Sequence, residues 1–139
     1  MRYLLDTDIA SYLIRNKDPG LRAHLASKSP ESVAISAVTR AEMLYGLKRL
    51  PAQHRLHVGV RQFLKLIRTL PWDIEAADHY ADIRHQLVSQ GQPIGEMDMM
   101  IAAHSLSLGA VLVTNNLRHY QRIEAPLMLE NWASAQPNE

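Results

Sequence analysis

The chain predicts an α/β fold: a short central parallel sheet of about five strands, flanked by helices, in a single domain. Three observations carry the prediction. Short apolar runs at Tyr3-Leu4-Leu5, Val33-Ala34-Ile35 and Val111-Leu112-Val113 have strand length and no polar alternation, as strands covered on both faces do. The stretches between them repeat apolar residues at helical spacing, so strands and helices alternate. Polar signatures follow the runs, Asp6-Thr7-Asp8 after the first and Thr114-Asn115-Asn116 after the last, and these belong at the carboxyl edge of such a sheet.

Met1 to Leu5 is the first strand, and Ile9 to about Arg15 a helix that Thr7 or Asp8 is placed to cap. Asp18-Pro19 opens a second helix, because proline suits a first turn. Val33-Ala34-Ile35 is a buried strand, and the helix from about Val38 to Lys48 has Ser36 or Ala37 near its start. Pro51 breaks the chain before a helix from about Gln53, which carries Leu56, Val60, Phe63, Leu64 and Ile67 on one stripe. Arg61, Lys65 and Arg68 form a second, basic stripe on it. Thr69-Leu70 lies in or beside a short strand. Ile74 to Ser89 is a helix with Ala76, Tyr80, Ile83 and Leu87 inward, and Gly91 to Gly95 a loop. Glu96 to Leu108 is a helix, Ala110 to Val113 a strand, Leu117 to Tyr120 a short helix and Pro126 to Glu130 an edge strand. No repeat or linker interrupts residues 1–132, the expected domain, and residues 133–139 read as a loose tail.

With 139 residues, 47% hydrophobic and 21% charged, the chain is long and apolar enough to bury a core. No apolar run has the length of a transmembrane helix, and a strand begins at once with no signal peptide before it, so a cytoplasmic protein is expected. The absence of cysteine excludes a disulfide framework, a zinc–thiolate site and a thiol nucleophile. The net charge of +1 conceals a segregation. Met43 to Trp72 holds no acid but carries Lys48, Arg49, Arg55, Arg61, Lys65 and Arg68. From Asp73 to Asp98 the acids Asp73, Glu75, Asp78, Asp82, Glu96 and Asp98 face only Arg84. A protein that holds cations with acids and a polyanion with bases needs such separation; two solvated helix faces would also produce it.

Asp6 follows directly on its strand and so stands at the carboxyl end, where a helix-capping role is the bland alternative. Glu42 lies in the first two turns of its helix, beside the apolar Met43 and Leu44, in position to face Asp6 across the sheet edge. Asp98 opens an unusually apolar helix, Met99-Met100-Ile101-Ala102-Ala103; either it or Glu96 caps that helix, and if Glu96 does, Asp98 is free for chemistry. Thr114 and Asn116 end the last long strand. Carboxylates converging at one sheet mouth repel one another unless cations are present, so a divalent metal site and a phosphate-ester substrate are the economical explanation. Mg²⁺ and Mn²⁺ suit such oxygen donors. Asp6 and Asp98, with Glu42 close by, would hold the ion that activates water, and Asn116 would position water or phosphate.

At these places the chain resembles the PIN-domain ribonucleases, specifically the VapC toxins of type II toxin–antitoxin pairs. The matching segments are Leu4-Leu5-Asp6-Thr7-Asp8-Ile9, Ile35 to Gly46, Gly91 to Gly95 with Asp98 to His104, and Leu112-Val113-Thr114-Asn115-Asn116. The resemblance implies a single PIN-like α/β/α domain and a Mg²⁺- or Mn²⁺-dependent endoribonuclease. It also implies a homodimer, a VapB-like antitoxin as inhibitor, and an RNA substrate such as initiator tRNA. Asp6, Glu42 and Asp98 match the three acidic positions of the family, with Thr114, Asp8 and Glu96 in support. Asn116 stands where many relatives have aspartate, and Asp8 where asparagine is common.

Arg61, Lys65 and Arg68 offer a phosphate grip, or an exposed solubilising face. Tyr12, Tyr45 and Trp72 are read as packing residues, although each offers a ring for base stacking. The histidines, His104 and His119 included, make no metal-ligand pair at helical spacing and stay outside the expected site. A rival reading takes Asp6-Thr7-Asp8 as an aspartyl-phosphate motif, but that chemistry needs a later lysine and none follows Lys65. The other alternative, a domain that keeps the fold and only binds, is opposed by three intact acids that are costly to bury.

Overall fold

The computed structural model describes residues 2–133. Five strands, β1 (Tyr3–Leu5), β2 (Val33–Ser36), β3 (Arg68–Leu70), β4 (Val111–Val113) and β5 (Met128–Glu130), form one sheet in the order β3-β2-β1-β4-β5. Every pair is parallel. Leu4 is in register with Ala34 on one side and Leu112 on the other, so β1 is the central strand.

The helices are α1 (Thr7–Arg15), α2 (Pro19–Ala26), α3 (Ala37–Lys48), α4 (Leu56–Leu66), α5 (Ile74–Ser89), α6 (Glu96–Leu108) and α7 (Leu117–Tyr120), with a 3₁₀ turn at Pro30–Ser32. Strand periodicity divides the core between the two sheet faces. Tyr3, Leu5, Val33, Ile35, Val111 and Val113 meet Ile9, Leu21, Met43, Leu47, Val60 and Leu64 on one face. Leu4, Ala34 and Leu112 meet Ile83, Leu87, Ile101, Ala102 and Tyr120 on the other. Trp132 closes the first layer, edge-on to Tyr3 at 5.1 Å and stacked on His24 at 4.5 Å. No helix of the described residues is long and apolar enough to cross a membrane.

The expected element order holds, with shifts at boundaries. The helix expected from about Gln53 begins at Leu56, after turns in which the His57 amide donates to the His54 carbonyl and His54 Nδ1 accepts from the Leu56 amide. It ends at Leu66, and Ile67 is already extended (φ −95°, ψ 145°), so Arg68 lies on β3 rather than continuing a helical stripe with Arg61 and Lys65. The expected tail, Ala133 apart, falls outside the described residues. Ala133 itself is buried, its amide donating to Asn131 Oδ1.

Candidate active site

The chain runs from β1 outward through β2 to β3 and then returns to the opposite side of β1 to form β4 and β5. That reversal makes a switch point at the carboxyl ends of β1 and β4, where open parallel sheets leave a crevice. Asp6 follows β1 there and Thr114 follows β4, and the Asp6 amide donates to the Val113 carbonyl at 3.0 Å, joining the two strand ends.

Asp6 is itself the cap of α1, the alternative set beside its site role, and neither Thr7 nor Asp8 takes that place: its backbone is still extended (φ −77°, ψ 174°) and its Oδ1 accepts from the Ile9 amide at 2.9 Å. Thr7 is already helical and Asp8 lies in the first turn. Asp6 is 4% exposed, and burial pushes its carboxyl up to about 7. Hydrogen bonds from the Thr114 hydroxyl and the Ile9 amide oppose that rise, while the charges of Asp8 and Asp98 add to it.

Freed from capping, Thr7 turns its hydroxyl to α3. Its Oγ1 donates to Glu42 Oε1 at 2.6 Å and lies 3.1 Å from the hydroxyl of buried Thr39. The Thr39–Thr7–Glu42 chain ties α3 to α1 and fixes Glu42 at the site. Helix α3 starts where Ser36 Oγ accepts from the Val38 amide, and buried His104 Nδ1 stands 2.8 Å from the same oxygen. Burial raises Glu42, the Thr7 hydrogen bond opposes it, and Asp98 and Asp8 raise it further. Asp8 is raised by burial and then by Asp98, and lowered by His119.

Neither Asp98 nor Glu96 caps α6. Gly95 occupies that position without a side-chain bond, since Glu96 is drawn to Arg84 at 2.9 Å and to the Tyr80 hydroxyl at 3.1 Å. A Cβ on Gly95 would lie 3.3 Å from Asp98 Oδ2, so glycine keeps that carboxylate uncrowded. Two residues of α7 hold Asp98: His119 Nε2 lies 3.1 Å from Oδ2, and the Tyr120 hydroxyl donates to the carboxylate. Burial and the surrounding acids keep that phenol protonated, far above its ordinary range. The Asn116 amide donates to Thr114 Oγ1 at 3.0 Å, so Asn116 and Thr114 together set the start of α7.

Asp6, Asp8, Glu42 and Asp98 thus share one electrostatic field, with Asp98 raising each of the others. His119 and Tyr120 are the contributors that sequence reasoning missed. His119 pairs with no histidine at helical spacing, because its partner Asp98 lies on another element; its spacing of one turn from Asn116 was the available signal. Thr7, read only as a cap, is the link to Glu42.

A groove of about 930 Å³ starts at Thr7 and Glu42 and runs between α1, α3 and α4. Arg15, Lys17, Arg49 and Arg55 line it; Arg61, Lys65 and Arg68 are exposed but do not. Of the rings considered for stacking, Trp72 is held in packing, its Nε1 donating to the Met100 carbonyl at 2.9 Å and its ring edge-on to Tyr80, whereas Tyr45 is 65% exposed.

A doubly wound α/β domain with a carboxylate cluster at its switch point is the class that fold and geometry define. The family model described as PIN domain matches residues 3–125. The chain therefore belongs to the PIN-domain family, among the VapC proteins. It is 35% identical over 133 residues to the tRNA(fMet)-specific endonuclease VapC of Shigella flexneri, covering 96% of this chain and 99% of that protein. It is 34% identical over 132 residues to ribonuclease VapC2 of Haemophilus influenzae, covering 95% and 98%. The crystal structure of DNA-bound VapBC from Salmonella typhimurium superposes with a TM-score of 0.88 at 34% identity, over 96% of this chain and 99% of that one.

Proposed function

We propose that this chain is the toxin of a type II toxin–antitoxin pair, a divalent-metal-dependent endoribonuclease acting in the cytoplasm and neutralised by a VapB-like antitoxin. The observation that carries the reading is the set Asp6, Glu42 and Asp98 at the carboxyl edge of the sheet, held respectively by the Ile9 amide, the Thr7 hydroxyl and His119 Nε2. The relatives named as ribonucleases and the VapBC complex of similar fold support it. Initiator tRNA is the substrate the Shigella relative's name suggests.

The donor chemistry fits a hard cation. The acids offer only oxygen ligands, and among the described residues no three His, Asp or Glu side chains are grouped closely enough to cage a metal by themselves. Mg²⁺ takes one or two carboxylates and keeps several waters, so it needs no protein cage, and Mn²⁺ shares its preference for carboxylate and water oxygens. Asp6 and Asp98 would hold the ion, with Glu42 beside it. When bound, the cation lowers the pKa of water and neutralises charge on the phosphodiester. The chain's own residues do the positioning: Thr7 orients Glu42, Thr114 orients Asp6, and His119 with Tyr120 orients Asp98. Asp8 extends the negative field over the same opening, and Asn116 anchors α7. A homodimer is part of the proposal; Leu66 and Ile74, 87% and 80% exposed on either side of edge strand β3, supply apolar surface for pairing.

The test is cleavage of total bacterial RNA by antitoxin-free protein, wild type beside Asp98→Ala, in Mg²⁺, Mn²⁺ and EDTA. Discrete products in metal, absent with EDTA and from the variant, are expected, and mapping their ends identifies the RNA. Intact RNA under every metal with folded wild-type protein would refute the reading.

A further inference from the structure

We propose that the groove between α1, α3 and α4 is the track of the substrate's single-stranded phosphate backbone, gripped by Arg15, Lys17, Arg49 and Arg55. This inference rests on the ribonuclease reading and names where that RNA runs.

The groove's charge is one-sided. Four cations line it, and the sole acid in its lining is Glu42, at the end that opens on the carboxylate cluster. Among the described residues none of the four is in an ion pair; the pairs present are Arg84–Glu96 and His119–Asp98. Four uncompensated cations along a low-dielectric trough repel one another and focus a positive potential, which a polyanion relieves. Ser11 and Asn16 also line the groove; Ser11 Oγ accepts from Arg15 Nε and Asn16 Oδ1 from Arg22, which leaves their hydroxyl and amide hydrogens to donate to phosphate oxygens, while Ile14, Leu47, Leu56 and Val60 form its apolar wall. The groove is partly open to solvent and its lining reaches from Thr7 and Glu42 to Arg49 and Arg55, an extent that suits a strand. Its continuity with Glu42 sets the order of events: a chain held by the cations is delivered to the acids, where a phosphate alone would be repelled.

Two glycines shape the trough. Gly59 lets α4 approach α1, since a Cβ there would lie 3.2 Å from Ile14 Cγ2. Gly46, on α3, lines the groove, and a Cβ there would meet nothing within 4 Å. A side chain at Gly46 therefore enters the trough without a clash at its first atom, and replacing a mid-helix glycine favours the helix. Gly46→Glu is accordingly a variant that blocks the track with a negative charge while preserving the fold.

The experiment measures binding of a fluorescent single-stranded RNA oligonucleotide by anisotropy, in EDTA to prevent cleavage, across a salt series. The full chain is compared with a Arg15→Ala, Lys17→Ala, Arg49→Ala, Arg55→Ala variant, with Gly46→Glu, and with an Arg61→Ala, Lys65→Ala, Arg68→Ala variant. Each phosphate contact contributes roughly 0.7 to the slope of log K against log salt for a single strand, so the groove variant is expected to lose roughly 3 of that slope. Gly46→Glu is expected to weaken binding at least tenfold with its melting temperature unchanged or raised. A groove variant with wild-type slope, or a loss confined to the Arg61, Lys65 and Arg68 variant, overturns the track. If wild type neither binds nor cleaves RNA, the ribonuclease reading itself fails; if wild type binds and cleaves and the groove variants match it, only the track does.

Discussion

Replacing Asp6 by asparagine should stabilise the metal-free protein and flatten its pH dependence. Burial pushes the carboxyl up to about 7 in the fold, from an ordinary value of 3.8. A group whose folded value is raised binds its proton more tightly in the native state, so stability is lost as pH rises from about 4 to about 7 and stays low above that. At roughly 1.4 kcal/mol per pH unit, the ionised carboxylate costs the fold about 4 kcal/mol at pH 8, about 2 at pH 5 and under 1 at pH 4. Asparagine removes that cost and keeps the cap, because its Oδ1 accepts from the Ile9 amide as Asp6 Oδ1 does at 2.9 Å. The Thr114 hydroxyl can rotate to suit an amide. Allowing for relaxation around the site, we expect a gain of roughly 2–4 kcal/mol at pH 8, about 8 °C or more in melting temperature, shrinking towards pH 4. Mg²⁺ or Mn²⁺ should raise the melting temperature of wild type but not of Asp6→Asn. Thermal denaturation from pH 4 to 8, with and without metal, reads both effects. Equal melting temperatures at pH 8, or a gain that grows on acidification, would refute the electrostatic account.

Predictions at three further residues follow from the same geometry. His119→Ala should lower kcat/KM on a cleaved RNA by about 10- to 100-fold with KM little changed, as loss of a supporting hydrogen bond does at metal sites. His119→Gln, whose side-chain amide can reach Asp98, should restore most of it; equal defects in both variants would reduce His119 to packing. Ser36→Ala removes the α3 cap and the partner of His104 Nδ1, at a cost of about 2 kcal/mol in chemical denaturation. His104 is held below its ordinary value by burial, so its contribution runs opposite to that of Asp6: stability falls as pH drops below about 6.5, where the unfolded chain gains the proton. His104→Gln should abolish that acid-side loss, and an unchanged acid limb would exclude His104 as its source.

The three inner strands were legible because a short apolar run buried on both faces leaves no polar alternation to confuse it, as at Val33-Ala34-Ile35 and Val111–Val113. The helix Ile74–Ser89 was bounded correctly because Asp73 is a strong capping residue and Ala76, Ile83 and Leu87 recur at helical spacing. Boundaries slipped where local hydrogen bonds compete with the helix pattern, as between Pro51 and Leu56, and where β3 claimed Arg68 from the basic stripe. The acids were legible one by one, Asp6 as the residue that ends β1 and Glu42 and Asp98 as acids in the opening turns of apolar helices. Their mutual effects were not, since pairs such as Asp6 and Asp98 meet only when β1 and α6 are brought to one edge.

The sequence by itself determined the α/β class, the order of elements and the three acids at the mouth of the sheet, because period, caps and strand ends are local properties. The tertiary structure decided which residues serve those acids. Asp6 rather than Thr7 or Asp8 caps α1, which releases Thr7 to orient Glu42. His119 and Tyr120 reach Asp98 because α7 folds back beside α6. The cations flanking the site also differ: Arg15 and Lys17, distant in sequence from Arg49 and Arg55, line one groove because α1 packs beside α3 and α4. Hydrogen bonds and fields act over a few ångströms of space, and residues dozens of positions apart come within that range only when the chain is folded.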